Sequence, residues 1–439
     1  MIQPSLPMKI PDHLDNLKGQ FKSLLVWSQK YTKTDMVYLA KGGFWLTASQ
    51  GVSILAGFIL LVSFANLLPT ETYGTYRYIL AILGVIVIGT FPGINVVSIK
   101  TVAEENEEQY WQLLSKKALF SLLSSLLSFL TSVYYLLNHN EILSLAFLIV
   151  GFGLPLVYTS GMYEALLYGR KNFKRAAQLN MLNKIIVTAF LVLTVYFTDN
   201  IIILILAYFI PETIIQTIYL TYFFKKRPTG GAPSTNNQLT KFGIHLSMMD
   251  VLKTVAGQID KMLVFHYLGA TQLAIYAIAT TPPSQIKNLM QNLTTLAFPK
   301  MSTATADSLR ETLPNKLFRL EMVIIGLIII YWLAAPVFFP LFFPKYVGAI
   351  LLSQVYALSL IFFPRTFLST AMTAQLKQKE LYFIRIIAPT LRIIIFLLVL
   401  PIWGMWGAVI GSIVGNALTS LIYTYFFAKA FPKTTPPLS

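Results

Sequence analysis

The chain has 439 residues, 55% of them hydrophobic and only 12% charged, with 34 Lys and Arg against 18 Asp and Glu for a formal net charge of +16. Soluble domains carry roughly 25% charged residues, and the mean hydropathy of +0.64 excludes a disordered chain. The absence of cysteine excludes a disulfide-stapled secreted domain. The apolar runs are too long and too regular for a soluble core, so the chain reads as a polytopic membrane protein.

A helix needs about 20 apolar residues to cross the roughly 30 Å of hydrocarbon. Residues 1–40 show no signal-peptide core; Leu14, Leu17, Phe21 and Leu24 recur at helical spacing among lysines, as in a segment lying on a membrane surface or in a basic tail. Twelve spans then follow at 42–66, 77–99, 117–137, 142–168, 177–197, 200–224, 242–268, 271–298, 317–343, 347–371, 382–401 and 403–428. One set of connecting loops is rich in cations, among them Lys116, Lys117, Arg170, Lys171, Lys174, Arg175, Lys225, Lys226 and Arg227. The other set is short, with Arg77 and Lys345 as its two cations. The positive-inside rule places the rich set and both termini in the cytoplasm, so most of the +16 is topology and no nucleic-acid partner is expected.

A shift of 200 residues lays Leu68–Tyr76 over Leu268–Tyr276 and Lys100 over Lys300. The longest uninterrupted polar loop, 225–241, falls near the middle. The reading is a basic segment at 1–40, a six-helix lobe at 41–224, a loop at 225–241, a second lobe at 242–428 and a tail at 429–439. An even count per lobe makes the repeat parallel, the plan of an alternating-access transporter.

Charge inside the spans costs about 2.5–3.5 kcal/mol per residue at mid-membrane. The seventh span carries Asp250, Lys253, Asp260 and Lys261, which on one continuous helix fall within an arc of about 100° around Gly257. That face must look into the bundle or a wet cavity, although an i,i+3 ion pair of Asp250 with Lys253 would also account for those two. On the eighth span Thr280, Ser284, Lys287, Gln291 and Thr294 form a polar stripe, and Pro282-Pro283 is expected to break the helix beside Lys287. Glu164, Lys184, Glu212, Arg365 and Arg392 are further candidates; Lys184 and Arg392 can equally snorkel to an interface. His245 and His266 read as interfacial residues. Lys253, Lys261, Lys287 and Arg365 slightly outnumber Asp250, Asp260 and Glu164, and a cationic lumen favours an anionic group such as a phosphate. The carboxylates suit a coupling ion, H+ or Na+. No other cofactor is expected: there is no phosphate-binding glycine loop, four scattered His make no metal site, and the loops are too short for a bond-making active site. The Glu104–Glu108 charge run reads as a solvated face.

Several stretches resemble the oligosaccharide flippase family of the multidrug/oligosaccharidyl-lipid/polysaccharide exporter superfamily. They are Lys41-Gly42-Gly43-Phe44-Trp45, Tyr73-Gly74-Thr75-Tyr76, Tyr168-Gly169-Arg170-Lys171-Asn172-Phe173, Gln258-Ile259-Asp260-Lys261-Met262, Tyr267 to Ala279, Tyr346-Val347-Gly348-Ala349 and Gly404-Met405-Trp406-Gly407-Ala408-Val409. The resemblance runs from about 40 to 428. It implies an all-α, MATE-like fold of about twelve helices in a bacterial or archaeal cytoplasmic membrane. It also implies a non-enzymatic flippase that moves undecaprenyl-pyrophosphate-linked oligosaccharide to the outer leaflet for O-antigen or capsule. Its partners would be membrane lipid and polymerase or assembly proteins, and Asp260 matches the family's acid position in the seventh span. A cation-coupled drug exporter of the same fold would want an acidic cavity, and the peptidoglycan-precursor flippase has extra helices after the twelfth. A major-facilitator transporter would carry a basic G-x-x-x-D-R-x-G-R-R loop where this chain reads Ser98 to Glu104. A scaffold subunit would gain nothing from the charged stripe.

Overall fold

The computed structural model describes residues 36–227 and 237–432, and among them every regular element is helical. The surface segment expected around Leu14–Leu24 lies outside the described residues. The first lobe comprises α1 (Met36–Leu67), α2 (Thr70–Ile86), α3 (Gly93–Ala103), α4 (Glu107–Leu137), α5 (Glu141–Ser160), α6 (Tyr163–Gly169), α7 (Phe173–Phe197) and α8 (Ile201–Lys225). The second comprises α9 (Asn237–Met249), α10 (Val251–Ala256), α11 (Ile259–Leu268), α12 (Ala270–Thr303), α13 (Ala306–Phe342), α14 (Ile350–Ala357), α15 (Thr366–Ala374) and α16 (Gln378–Ala430). Nine helical stretches among the described residues are long and apolar enough to cross a membrane.

Short polar turns reverse the chain between helices. Asn106, Asn140, Asn172 and Asn200 cap α4, α5, α7 and α8, each side chain accepting a backbone N–H of the first turn. Such a cap satisfies one of the donors that a helix start leaves unpaired. Helix packing then uses small residues, because lipid offers no hydrophobic drive between helices. On α4 the buried hydroxyls of Ser125, Ser128 and Ser132 donate to the carbonyls of Gly151, Phe147 and Ser144 on α5, each at 2.7 Å.

Two expectations need correction. The seventh span is not one helix but α9, α10 and α11, interrupted at Asp250 and at Gly257-Gln258. A single helical wheel therefore does not relate Asp250 to Asp260. Conversely, α12 runs unbroken through Pro282-Pro283. Pro283 cannot donate to the Ala279 carbonyl, and Ser353 Oγ on α14 supplies that hydrogen bond at 2.5 Å, as lipid-embedded proline requires. The expected separation of the last two spans is kept, although α16 with its 53 residues would be about 80 Å long if straight. It folds back at Gly404, whose φ of 55° is left-handed. Cβ atoms added at Gly407, Gly411 and Gly415 would meet Val399, Phe396 and Arg392 respectively, a mirrored pairing that makes two antiparallel arms.

One apolar cluster joins both lobes at the short-loop end, including Phe64, Tyr76 and Ile79 with Leu273, Ile278 and Phe339. Toward the basic-loop end it gives way to two separate clusters, one centred on each lobe. The closed end is tight: a Cβ at Gly74 would lie 1.8 Å from the Ala270 carbonyl oxygen. Asn66 donates to Phe342 O at 2.9 Å, and Tyr78 stacks on Phe265 at 3.8 Å. At the other end the lobes meet through α3 and α9, where the Gly93 N–H donates to Ser247 Oγ at 2.9 Å. The lobes therefore share one apolar cluster at the short-loop end and keep separate ones toward the basic loops.

Candidate functional site

The break at Gly257-Gln258 restarts the chain as α11 with Asp260 in its first turn. Asp260 is 6% exposed; its Oδ2 accepts from Tyr276 at 2.9 Å, and its Oδ1 has no hydrogen-bond partner. Tyr276 is also 3.4 Å from Ser412 on the second arm of α16. Lys261 Nζ donates to Gln258 Oε1 at 2.8 Å. Gln258 in turn fills the space left by Gly84 on α2, where a Cβ would stand 2.9 Å from Nε2.

Lys261 lies within electrostatic range of Asp260, Arg77 and Arg392, and Lys287 within range of Arg392 and Asp260. Lys261 and Lys287 thus share the field of one carboxylate, with Arg392 near both and Arg77 of the first lobe near Lys261. The Nε atoms of Arg77 and Arg392 are buried without a partner. Repulsion among such groups is strong at low dielectric, and an anion inserted between them relieves it.

Arg392 also lines a cavity of about 350 Å³ with Asp250, Lys253, Gly257 and Arg385. Among the described residues no ion pair joins Asp250 to Lys253. Lys287 borders a smaller recess of about 40 Å³ with Ser359 and Asn416. Gln291 is exposed one turn further along α12.

Arg365 stands apart from these groups. Its guanidinium pairs with Glu321 of α13, Nε at 2.7 Å and Nη2 at 3.4 Å from the two carboxylate oxygens. The pair joins α13 to the 3-10 turn Leu358–Arg365. Within the supposedly solvated acidic run, Glu107 likewise takes a bidentate bond from Arg170 at 2.6 Å through each oxygen. That pairing holds the Arg170 guanidinium above its ordinary pKa.

The first lobe holds a second polar chamber of about 720 Å³, which Glu164, Asn180, Asn183, Lys184, Glu212 and Gln216 help to line. Glu212 accepts from Asn183 at 3.0 Å and from Gln216. The side-chain oxygens of Asn183 and Gln216 are buried and unpartnered. Two carboxylates and two free amide oxygens make a set of hard oxygen donors.

Sequence reading alone overlooked Arg77, Asn183 and Gln216. Arg77 lies seven residues into α2, about 10 Å along the helix, a depth that the shortness of the preceding loop already implied. Glu212 and Gln216 sit at i,i+4 on an otherwise apolar helix, which was the readable sign of an inward polar face.

This two-lobed, all-helical architecture is the fold of the MOP-superfamily transporters and flippases. An inward-facing multidrug resistance MATE family transporter superposes with a TM-score of 0.66 at 12% identity, covering 86% of this chain and 94% of its own. The lipid II flippase MurJ in an inward closed conformation gives 0.66 at 16% identity, covering 88% and 89%. A MOP-superfamily transporter from Pyrococcus furiosus, described as having a binding pocket of reverse polarity, gives 0.55 at 13% identity over 91% and 96%. Among curated protein sequences none matches. The model of the polysaccharide biosynthesis protein family matches residues 39–305, and the chain belongs to that family.

Proposed function

We propose that the protein is a flippase for polyprenyl-pyrophosphate-linked oligosaccharide, undecaprenyl in bacteria, moving it by alternating access from the cytoplasmic to the outer leaflet for a cell-surface polysaccharide. The observation that carries this reading is the grouping of Lys261 and Lys287 near the carboxylate of Asp260, with Arg392 near both lysines and Arg77 near Lys261. Its excess positive charge, in a central cleft that the shared apolar cluster would close at the short-loop end, suits a pyrophosphate. The wall continues through Lys253 and Arg385 toward the basic-loop end, so an anionic head group entering there meets cations along its path. Family membership supports a polysaccharide role, and the fold supports transport rather than bond chemistry. Glu164 and Glu212 in the first-lobe chamber are the proposed site of the coupling ion, H+ or Na+, with the Asn183 and Gln216 oxygens as additional ligands.

The acidic chamber also supports a second reading, a cation-coupled exporter of organic cations. Native mass spectrometry of the mildly solubilised chain separates the two. A retained polyprenyl-pyrophosphate glycan, lost in Lys261→Ala but kept in Arg365→Ala, is the expected result. Binding of organic cations instead, abolished by Glu212→Gln and indifferent to Lys261→Ala, would overturn the flippase reading.

A further inference from the structure

The basic-loop ends of α7 and α8 carry a cluster of cations that the central cleft does not use. In the first turn of α7, Lys174 lies over the Trp45 ring at 5.3 Å, and the Arg175 guanidinium lies 5.0 Å from the Tyr222 ring. At the end of α8, Lys226 Nζ donates to the Tyr222 hydroxyl at 2.6 Å. Arg175 also lies 5.2 Å from the Phe223 ring. Arg227 covers Phe224 at 4.4 Å, with Lys225 beside it.

Three features make this more than a solvated positive end. Two cations converge on one neutral phenol ring, and among the described residues no carboxylate pairs with Lys174, Arg175, Lys225, Lys226 or Arg227. Lys174 and Arg175 also stand in the first turn of a helix, where the macrodipole disfavours cations and favours anions. Lastly, the site continues an apolar surface. Ile203, Ile210, Ile214 and Ile218 are exposed along α8 up to Tyr222, and Leu182, Ile186 and Phe190 are exposed along α7. A ligand with an anionic head and long acyl chains matches the whole surface.

We infer that the cap formed by Lys174, Arg175, Tyr222, Lys226 and Arg227 binds the phosphate of an anionic phospholipid whose chains lie along α7 and α8. The site is separate from the cation cluster of the cleft, and it stands whether or not the flippase reading does. Aromatic rings at the level of the headgroups and unpaired cations next to them are the anchoring pattern of a membrane interface. A phosphate placed between Arg175 and Lys226 turns their mutual repulsion into two charge-assisted hydrogen bonds.

The test is native mass spectrometry of the delipidated full chain titrated with phosphatidylglycerol, phosphatidylethanolamine and undecaprenyl pyrophosphate. Each cation near an anionic surface contributes about fivefold, so Arg175→Gln/Lys226→Gln is expected to weaken phosphatidylglycerol binding by roughly 25-fold and to leave phosphatidylethanolamine unchanged. Lys261→Ala is expected to leave phosphatidylglycerol binding intact while weakening undecaprenyl pyrophosphate. Equal phosphatidylglycerol affinity in wild type and the double variant would overturn the site. So would stoichiometric displacement of phosphatidylglycerol by undecaprenyl pyrophosphate, which would make the cap an entry point for substrate. Should the double variant fail to fold, Lys225→Gln/Arg227→Gln and the salt dependence of wild-type binding decide: no weakening by either rejects the proposal.

Discussion

Tyr276 donates to Oδ2 of Asp260 at 2.9 Å and leaves Oδ1 buried without a partner, so the carboxylate is fixed in orientation while half of its accepting capacity stays open. Lys261 and Lys287 both feel that one negative charge, beside Arg77 and Arg392. Asp260→Asn is expected to lower the melting temperature of the solubilised protein, because it leaves the cluster without a counter-charge, and inorganic pyrophosphate is expected to restore it. Tyr276→Phe keeps the charge and costs about 1–3 kcal/mol. Thermal melts of the two variants with and without pyrophosphate check both statements; a melt of Asp260→Asn indifferent to the anion would contradict them.

The contact between Gly74 and the Ala270 carbonyl admits no side chain. Gly74→Val therefore has to separate α2 from α12 at the short-loop end. The native chain has no cysteine, so single cysteines at Thr72 and Thr271 give a clean readout. Their labelling by a membrane-impermeant maleimide from the short-loop side is expected to rise in the Gly74→Val background.

Ser128 is the middle rung of the serine ladder between α4 and α5. Interhelical hydrogen bonds of this kind average about 0.6 kcal/mol, so Ser128→Ala is nearly silent. Ser128→Leu has to push the helices apart, and overpacking costs about 1–3 kcal/mol. Unfolding in a denaturing detergent titration should rank wild type and Ser128→Ala together, with Ser128→Leu below them.

Glu321 is 13% exposed at its side chain and Arg365 31%, which makes the pair structural and half-desolvated. Glu321→Gln is expected to destabilise by about 1.5–3 kcal/mol, the range for a hydrogen bond to a charged group. The exchange Glu321→Arg/Arg365→Glu should recover most of that loss and support transport close to wild type. Transport lost in the exchanged protein at normal stability would return Arg365 to the substrate path.

Ser353 replaces the hydrogen bond that Pro283 cannot make to Ala279. A double-mutant cycle isolates this role. Ser353→Ala also removes the partner of the Tyr331 hydroxyl in either background, so it is expected to cost about 1 kcal/mol more in the native background than beside Pro283→Ala, where the restored N–H serves the same carbonyl.

Much of the fold was readable because hydropathy and the two classes of loop mark the crossings directly. The reversal between Leu400 and Met405, for example, falls between two expected spans and at the left-handed Gly404. The cation excess was readable too, since intramembrane charge is rare enough to notice singly. What escaped was pairing across distance. Nothing near Arg365 in the chain announces Glu321, 44 residues earlier, and nothing near Pro283 announces Ser353. Arg77 escaped because a residue near a short loop was taken to belong to the loop. The helical wheel drawn through Asp250 and Asp260 assumed an unbroken helix; backbone breaks at Asp250 and Gly257-Gln258 carry no strong composition signal beyond one glycine.

Those breaks have a mechanical consequence. A continuous helix transmits rotation along its length, whereas α9, α10 and α11 can be reoriented separately. Ser247 ties α9 to Gly93 of the first lobe, while Asp260 ties α11 to Tyr276 and places it near Ser412 in the second. In the proposed transport cycle a change in lobe separation at the basic-loop end would be taken up at Gly257-Gln258. The same Gln258 holds Lys261, so a joint that took up such rocking would also set the aim of that cation.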